Sequence, residues 1–180
     1  MKTNLLHTRP ADIAEAGRLL AAGQVVAIPT ETVYGLAANA FESSAVEKIF
    51  IAKGRPQDNP LIVHISEFED IYPLVKTVPE NAKKLAKAFW PGPLTIILEK
   101  SDKIPDAVSA GLDTVAVRCP SHKTAREIIK ACGFPLAAPS ANLSGSPSPT
   151  SFEHVKNDLT GRVDAIIDGG VCEVGLESTV

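Results

Sequence analysis

The stretch VVAIPTETVYGL at residues 25–36 joins a short apolar run to a cluster of polar side chains. The apolar run, Val25 to Ile28, is rich in β-branched residues and predicts a buried strand. Pro29 has no N–H to give to a sheet, so the strand should end or bend there. Polar groups just past the end of a buried strand are where open α/β sheets bind their ligands. An ordinary turn capped by the threonines is the alternative.

Composition sets the class of protein. The chain has 180 residues, of which 44% are hydrophobic and 22% charged, as in a globular protein of one domain. A net charge of −3 gives no overall attraction to nucleic acid or to an anionic membrane, so an anion site would have to be local. No apolar run is long enough to span a bilayer, and the N-terminus lacks a signal-peptide core. Cys119, Cys132 and Cys172 match no metal-binding or redox pattern, which favours reduced thiols and a cytoplasmic protein.

Strands and helices alternate along the sequence, and this order predicts a layered α/β domain. We expect helices at 10–22, 44–54, 79–89, 124–131 and 152–159, with a short helical turn within 67–74. We expect strands at 25–28, 35–40, 61–65, 95–98, 114–117, 136–138, 165–167 and 174–180.

Two of these helices carry more detailed expectations. Ser44 and Glu47 have the spacing of a capping box, which should open the second helix. The apolar spacing of helix 79–89 predicts that one face is buried, formed by Ala82, Leu85, Ala86 and Phe89.

Cations and hydroxyls follow several of the predicted elements. Lys53 and Arg55 lie at a helix end, where they either complement the helix dipole or, held by Gly54 and nearby prolines, bind phosphate. His64 lies within a buried strand and is either a hydrogen-bonded core residue or part of a site. Arg118 ends a strand and needs a partner there, either a substrate carboxylate or an acidic side chain of the protein.

Hydroxyl and amide side chains alternate at Ser140, Asn142 and Ser144, in a loop that can present them and its backbone N–H groups to phosphate oxygens or simply form a turn. Ser178 adds a further hydroxyl near the end of the chain. The sequence contains no Walker A loop, Rossmann fingerprint, nucleophile elbow or zinc-ligand spacing. Distributed cations and hydroxyls suit transfer at phosphorus, which depends on positioning and charge stabilisation.

Seven motifs, taken together and in order, resemble the YrdC-like family, the threonylcarbamoyl-AMP synthases. They are PTETVYGL (29–36), KGRP (53–56), NPL (59–61) followed by His64, WPGPLT (90–95), VAVRCP (115–120), SANLSG (140–145) and GLESTV (175–180). The resemblance implies a three-layer α/β domain, with a twisted mixed sheet flanked by helices around a concave cavity. It also implies a nucleotidyltransferase that joins L-threonine, bicarbonate or CO2, and ATP into threonylcarbamoyl-AMP and releases pyrophosphate.

The resemblance further implies the roles of individual residues. Around threonine it places Thr32, His64, Arg118, the backbone of Ala138, and Ser178. Around ATP it places Lys53, Arg55, Asn59, Thr114, Ser140, Asn142 and Ser148. Lys53 and Arg55 would be catalytic by neutralising the triphosphate and the departing pyrophosphate. Mg2+ would arrive with ATP, because no carboxylate set for a metal is evident.

The resemblance bears on partners and domain limits as well. The product would pass to the transferase machinery that makes the t6A base of tRNA. The same link to tRNA makes RNA a candidate partner, whereas no membrane partner is expected. The GLESTV form is similar to longer members, which continue into a strand, a linker and a second domain. We therefore expect residues 1–180 to be a single domain truncated at its C-terminal end. Two alternatives are a non-catalytic RNA-binding module and a carbamate-adenylating domain like that of hydrogenase-maturation proteins.

Overall fold

A computed structural model describes all 180 residues and confirms the layered α/β fold, with one eight-stranded mixed sheet between two layers of helices. The strands are β1 (Asn4–Leu6), β2 (Val26–Ile28), β3 (Gly35–Asn39), β4 (Ile62–His64), β5 (Thr95–Glu99), β6 (Thr114–Arg118), β7 (Leu136–Ala137) and β8 (Ala165–Ile167). The helices are α1 (Pro10–Ala21), α2 (Ser43–Lys53), α3 (Glu80–Phe89), α4 (Asp106–Ser109), α5 (Lys123–Cys132) and α6 (Phe152–Leu159), with a 3-10 turn at Phe68–Ile71. None of the helices has the length and apolar character needed to cross a membrane.

The strand order brings distant parts of the chain side by side. Across the sheet it is β1-β8-β2-β3-β7-β4-β6-β5, with β1, β8 and β2 mutually parallel, β4 parallel to β6, and the other neighbours antiparallel. The register of the last three strands aligns His64 with Arg118 and Arg118 with Thr95. Because directly paired residues point to the same face of a sheet, these three side chains form one row.

Helices cover one face of the sheet only in part. On that face α1 and α5 pack over Ile28, Ala37 and Leu136 in a core cluster of 14 buried residues. The row Ile62–Ala116–Ile97 lies on the same face by register, yet Ile97 remains 52% exposed. The opposite face carries the larger cluster of 29 buried residues. The sheet is therefore sealed on one side and open over β4, β6 and β5 on the other.

Several predicted helix limits are confirmed by backbone geometry. Pro10 occupies the first turn of α1, where its missing N–H costs nothing. Gly54 follows α2 in the left-handed conformation, with φ of 60°. The capping box is wrong: α2 begins at Ser43, and the Ser44 hydroxyl donates to the Glu42 carboxylate at 2.9 Å instead of capping a backbone N–H.

The predicted burial of helix 79–89 is half wrong. Ala82 and Ala86 are buried, but Leu85 and Phe89 are 43% and 56% exposed. The two small alanines cluster with Ile96 of β5, so the helix contacts the sheet through them alone and not through the larger side chains.

Two short elements lack a signal in the sequence, and one predicted strand does not form. Strand β1 and helix α4 were not foreseen. Residues 174–180 form no strand, although an isolated bridge between Leu94 and Thr179 joins them to the sheet edge.

Candidate functional site

A cavity of about 240 Å3 lies where the PTETVYGL loop, the SANLSG loop, β4, β6 and the C-terminal segment meet. The residues on its wall come from nearly the whole length of the chain. Those expected from the sequence that do line it are Thr32, Arg55, His64, Arg118, Ala138, Ser140 and Ser178. Lys53, Asn59, Thr114, Asn142 and Ser148 lie off its wall.

Side-chain hydrogen bonds fix the turn after β2. The Thr30 hydroxyl donates to the carbonyl of Val33 at 2.6 Å and accepts from the backbone N–H of Thr32 at 3.2 Å. Tyr34, fully buried, donates to the carbonyl of Gly170 at 2.9 Å and accepts from the N–H of Gly169 at 3.0 Å. Thr30 thus closes the turn, and the Thr32 hydroxyl, 3.1 Å from that of Thr30, is held at the cavity wall.

Backbone hydrogen bonds join this turn to the loop after β7. Leu36 donates to the carbonyl of Pro139 at 2.8 Å, and Ala141 donates to the carbonyl of Tyr34 at 2.8 Å. Ser140 pairs with Gly35 in an isolated antiparallel bridge. Hydroxyls from two distant motifs are therefore held on one rigid wall.

Arg118 is buried, with 3% exposure, and its guanidinium contacts three different groups. It donates to the Thr32 hydroxyl at 2.9 Å, to the Glu31 carboxylate at 2.6 Å and to the carbonyl of Gly92 at 3.3 Å. The acidic partner that the sequence left open is thus present as Glu31. An arginine has five N–H groups, so two remain free of these bonds.

His64 adjoins Arg118 in the row of paired strand residues. It is 3% exposed, and its Nδ1 has no hydrogen-bond partner in the protein. Burial, followed in size by the positive charge of Arg118, lowers the pKa of His64 to about 3. The imidazole is therefore neutral near pH 7 and offers an unpaired polar atom beside the guanidinium.

Lys53 and Arg55 are separated by the bend at Gly54. Arg55 lines the cavity, whereas Lys53 is 3% exposed and lies beneath the SANLSG loop. The Lys53 ammonium donates to the carbonyls of Ser140 and Asn142, the latter at 2.7 Å, and to the Asn142 side chain at 3.2 Å. Burial, with the nearby charge of Arg55, lowers the pKa of Lys53 to about 8. The two cations do not form a joint pair on the wall.

The remaining predicted ATP residues surround the cavity at some distance. Asn59 is exposed on the loop before β4, and Thr114 begins β6, at the end opposite Arg118. The Ser148 hydroxyl donates to the carboxylate of Glu177.

The C-terminal segment closes one side of the cavity. Thr95 donates from its backbone N–H to the carbonyl of Thr179 at 2.7 Å, and Thr179 donates to the carbonyl of Pro93 at 3.1 Å. The Thr95 hydroxyl also lies 3.3 Å from that of Ser178.

Sequence reasoning assigned no role to Glu31, Tyr34 or Glu177. Glu31 belongs to the PTETVYGL motif, and the feature that could have identified it is a carboxylate directly after a buried strand. Glu177 is the one carboxylate on the cavity wall.

No group of three or more His, Cys, Asp or Glu side chains is arranged to hold a metal ion. Cys119, Cys132 and Cys172 are free thiols, and burial raises the pKa of each.

Comparison with known proteins agrees with this geometry. The sequence model of a family named for Sua5, YciO and YrdC, and described as "Telomere recombination", matches residues 18–180. The chain belongs to the Sua5/YciO/YrdC family. The YrdC-like resemblance of the seven motifs is thereby confirmed.

Relatives within the Sua5/YciO/YrdC family are similar over most of this chain. Threonylcarbamoyl-AMP synthase of Pyrococcus abyssi is 58% identical over 158 residues, covering 88% of this chain and 46% of that protein. The protein of the same name from Bacillus subtilis is 55% identical, covering 99% of this chain and 52% of that protein. The chain spans about half the length of these curated relatives.

Solved structures of the family have the same fold. Sua5 of P. abyssi complexed with L-threonine superposes with a TM-score of 0.96 at 52% identity, covering 100% of this chain and 54% of that one. YciO of E. coli superposes with a TM-score of 0.83 at 25% identity, covering 95% of this chain and 85% of that one.

Proposed function

We propose that this chain forms the substrate-binding and catalytic domain of an L-threonylcarbamoyladenylate synthase. The observation that carries the proposal is the cavity itself, which gathers Thr32, His64, Arg118 and Ser178 around one small space. The names of the two relatives and the threonine bound to P. abyssi Sua5 support this reading.

Threonine fits the chemistry of the inner wall. The free N–H groups of Arg118 suit a carboxylate, since guanidinium and carboxylate match in geometry. The hydroxyls of Thr32 and Ser178 on the cavity wall offer partners for the hydroxyl and amine of a small amino acid, and buried His64 lies beside them. A neutral imidazole avoids a further positive charge, so it does not repel an ammonium group.

ATP has to extend beyond this cavity, because about 240 Å3 is below the usual size of a pocket for a nucleotide-sized ligand. The open part of the sheet, along Ile62, Ala116 and Ile97, leads from the cavity toward Thr114. Arg55 and Ser140 lie on the wall where phosphates would enter. Asn59, Asn142 and Ser148 lie around the same side, and Lys53 holds the loop that presents Ser140.

The proposed reaction joins the three substrates in two steps. The neutral amine of threonine attacks the carbon of CO2: the N–C bond forms as one C–O π bond opens, and the nitrogen releases a proton to solvent. A carbamate oxygen then attacks the α-phosphorus of ATP, the bond to the bridging oxygen breaks, and pyrophosphate departs. Arg55 stabilises the negative charge that accumulates on the phosphates, and Arg118 holds the carboxylate away from the reacting amine.

Mg2+ fits this site as a companion of ATP. Mg2+ is commonly held by one or two carboxylates together with substrate phosphates, and the wall supplies one carboxylate, Glu177. When bound, the ion would neutralise phosphate charge.

A product assay with each substrate omitted in turn tests the proposal. We expect threonylcarbamoyl-AMP and pyrophosphate only when threonine, bicarbonate and ATP are all present. Pyrophosphate release that ignores threonine would contradict the proposal and favour a carbamate-adenylating domain. Absence of turnover and of threonine binding, together with salt-sensitive binding to tRNA, would favour an RNA-binding module. We further propose that the product passes to the machinery that makes the t6A base of tRNA.

A further inference from the structure

Glu31 forms, with Arg118, the one ion pair of this protein in which both side chains are buried. Each side chain is 4% exposed, and the carboxylate Oε1 lies 2.6 Å from the guanidinium Nη2. Every other ion pair has a partner that is at least 53% exposed. A buried pair is costly to form because both charges lose their hydration, so its presence beside a cavity calls for an explanation.

Glu31 is fixed from both its backbone and its side chain. Its carbonyl accepts from the N–H of Val174 at 2.8 Å, and its Oε2 accepts from the N–H of His122 at 3.4 Å. Burial alone would raise the pKa of Glu31, but the charge and hydrogen bond of Arg118 outweigh it, and the pKa lies below its ordinary value. The carboxylate is therefore ionised at neutral pH, and it does not itself line the cavity.

The three partners of Arg118 accept from three different nitrogens of the guanidinium. Glu31 takes one Nη2 hydrogen, Thr32 takes one Nη1 hydrogen and the Gly92 carbonyl takes the Nε hydrogen. Of these, only Glu31 is charged, and it makes the shortest contact. Without it the long arginine side chain would be held by two neutral acceptors, of which the Gly92 carbonyl is 3.3 Å away.

We propose that Glu31 is a positioning residue for amino-acid recognition, which holds the guanidinium of Arg118 so that its free N–H groups meet the substrate carboxylate. This inference rests on the proposed function, since it concerns how the same cavity selects an amino acid. A ligand with a correctly placed carboxylate would bind more tightly because of this arrangement, and a neutral analogue would not.

The test compares L-threonine with L-threonine amide, which replaces the carboxylate by an uncharged group. Both dissociation constants are measured by calorimetry in the wild-type chain, in Glu31→Gln and in the control Glu99→Gln, which alters an exposed ion pair with Lys76. We expect wild type and control to favour threonine over the amide. In Glu31→Gln this preference should fall about tenfold or more, because a charge-assisted hydrogen bond is worth about 1.5–3 kcal/mol.

The ratio of the dissociation constants for threonine amide and threonine distinguishes a positioning role of Glu31 from a purely structural one. A purely structural role would weaken both ligands alike and leave the ratio unchanged, which would overturn the proposal. Tighter threonine binding in Glu31→Gln would also overturn it, because Glu31 would then be a competitor for Arg118. If Glu31→Gln does not fold, Glu31→Asp keeps the charge but withdraws it by one methylene, and a several-fold fall in the ratio is expected. Failure of the wild-type chain to bind threonine would instead count against the proposed function.

Discussion

The ammonium nitrogen of Lys53 lies 2.7 Å from the carbonyl oxygen of Asn142, beneath the loop that carries Ser140. We expect Lys53→Met to destabilise the protein by about 1–3 kcal/mol, since buried acceptors of the loop would lose their donor. Urea denaturation measures the change. Lys84→Met, at an exposed position of α3, is the control and should stay within about 0.5 kcal/mol of wild type. Loss of ATP binding in Lys53→Met without loss of stability would contradict this role and favour direct contact with phosphate.

Arg118→Ala should weaken threonine binding more than ATP binding, because the guanidinium belongs to the inner wall of the cavity. The single change also leaves Glu31 buried without its partner, at a cost of about 3–5 kcal/mol in unfolding free energy. The double variant Arg118→Ala/Glu31→Ala should recover much of that stability without recovering threonine binding. Calorimetry and denaturation give both quantities, and equal losses for the two ligands would disprove the assignment.

The buried imidazole of His64 should make stability depend on pH. Because the pKa of His64 falls from 6.5 to about 3 in the folded protein, the unfolded chain binds the extra proton between those values. Stability should therefore decline as pH falls from 6.5 toward 3, by about 1.4 kcal/mol per pH unit from this side chain. The decline should be shallower by that amount in His64→Gln, measured by denaturation at several pH values. If the slope of unfolding free energy against pH is unchanged in His64→Gln, the imidazole can take up its proton in the folded state. The control is His154→Gln, at an exposed position.

Gly169→Ala should destabilise the PTETVYGL loop. A methyl group at Gly169 would come within 2.6 Å of Cβ and Cγ of Pro29, and overpacking of this kind typically costs about 1–3 kcal/mol. Pro29→Gly removes the atoms that the methyl would meet, so the double variant should cost less than the sum of the two single changes. Thermal or urea unfolding of all four proteins closes the cycle. Simple additivity would mean that the loop relaxes without strain.

The strands that the sequence predicts well are those with strong local signals. Buried β-branched runs mark β2, β6 and β8, and the structure places strands there. Strand β1 has three residues, two of them exposed, and pairs only with β8. No local sequence pattern therefore predicts it. For helix α3 the local pattern predicts too much burial. Apolar spacing identifies the face that turns toward the sheet, but it does not show which side chains on that face contact the sheet.

The sequence predicts which residues line the candidate site better than it predicts which residues they contact. Motif residues such as Thr32 and Ser140 were expected in one cavity, and the structure places both on its wall. The contacts of Lys53 with Asn142 and of Arg118 with Thr32 and Glu31 are not predictable, because in each the two residues are more than 80 positions apart in sequence. Which acceptor meets a buried cation depends on strand order, and the sequence pattern alone does not fix that order.

Thr32 and Ser178 stand on the same cavity wall although they come from opposite ends of the chain. The last piece of that wall is held by backbone bonds between Thr95 and Thr179, made across a large sequence separation. Closing such long loops is slow compared with forming helices and local strand pairs. In a refolding experiment, recovery of ligand affinity should therefore trail recovery of the helical circular-dichroism signal, and would report the final stage of assembly.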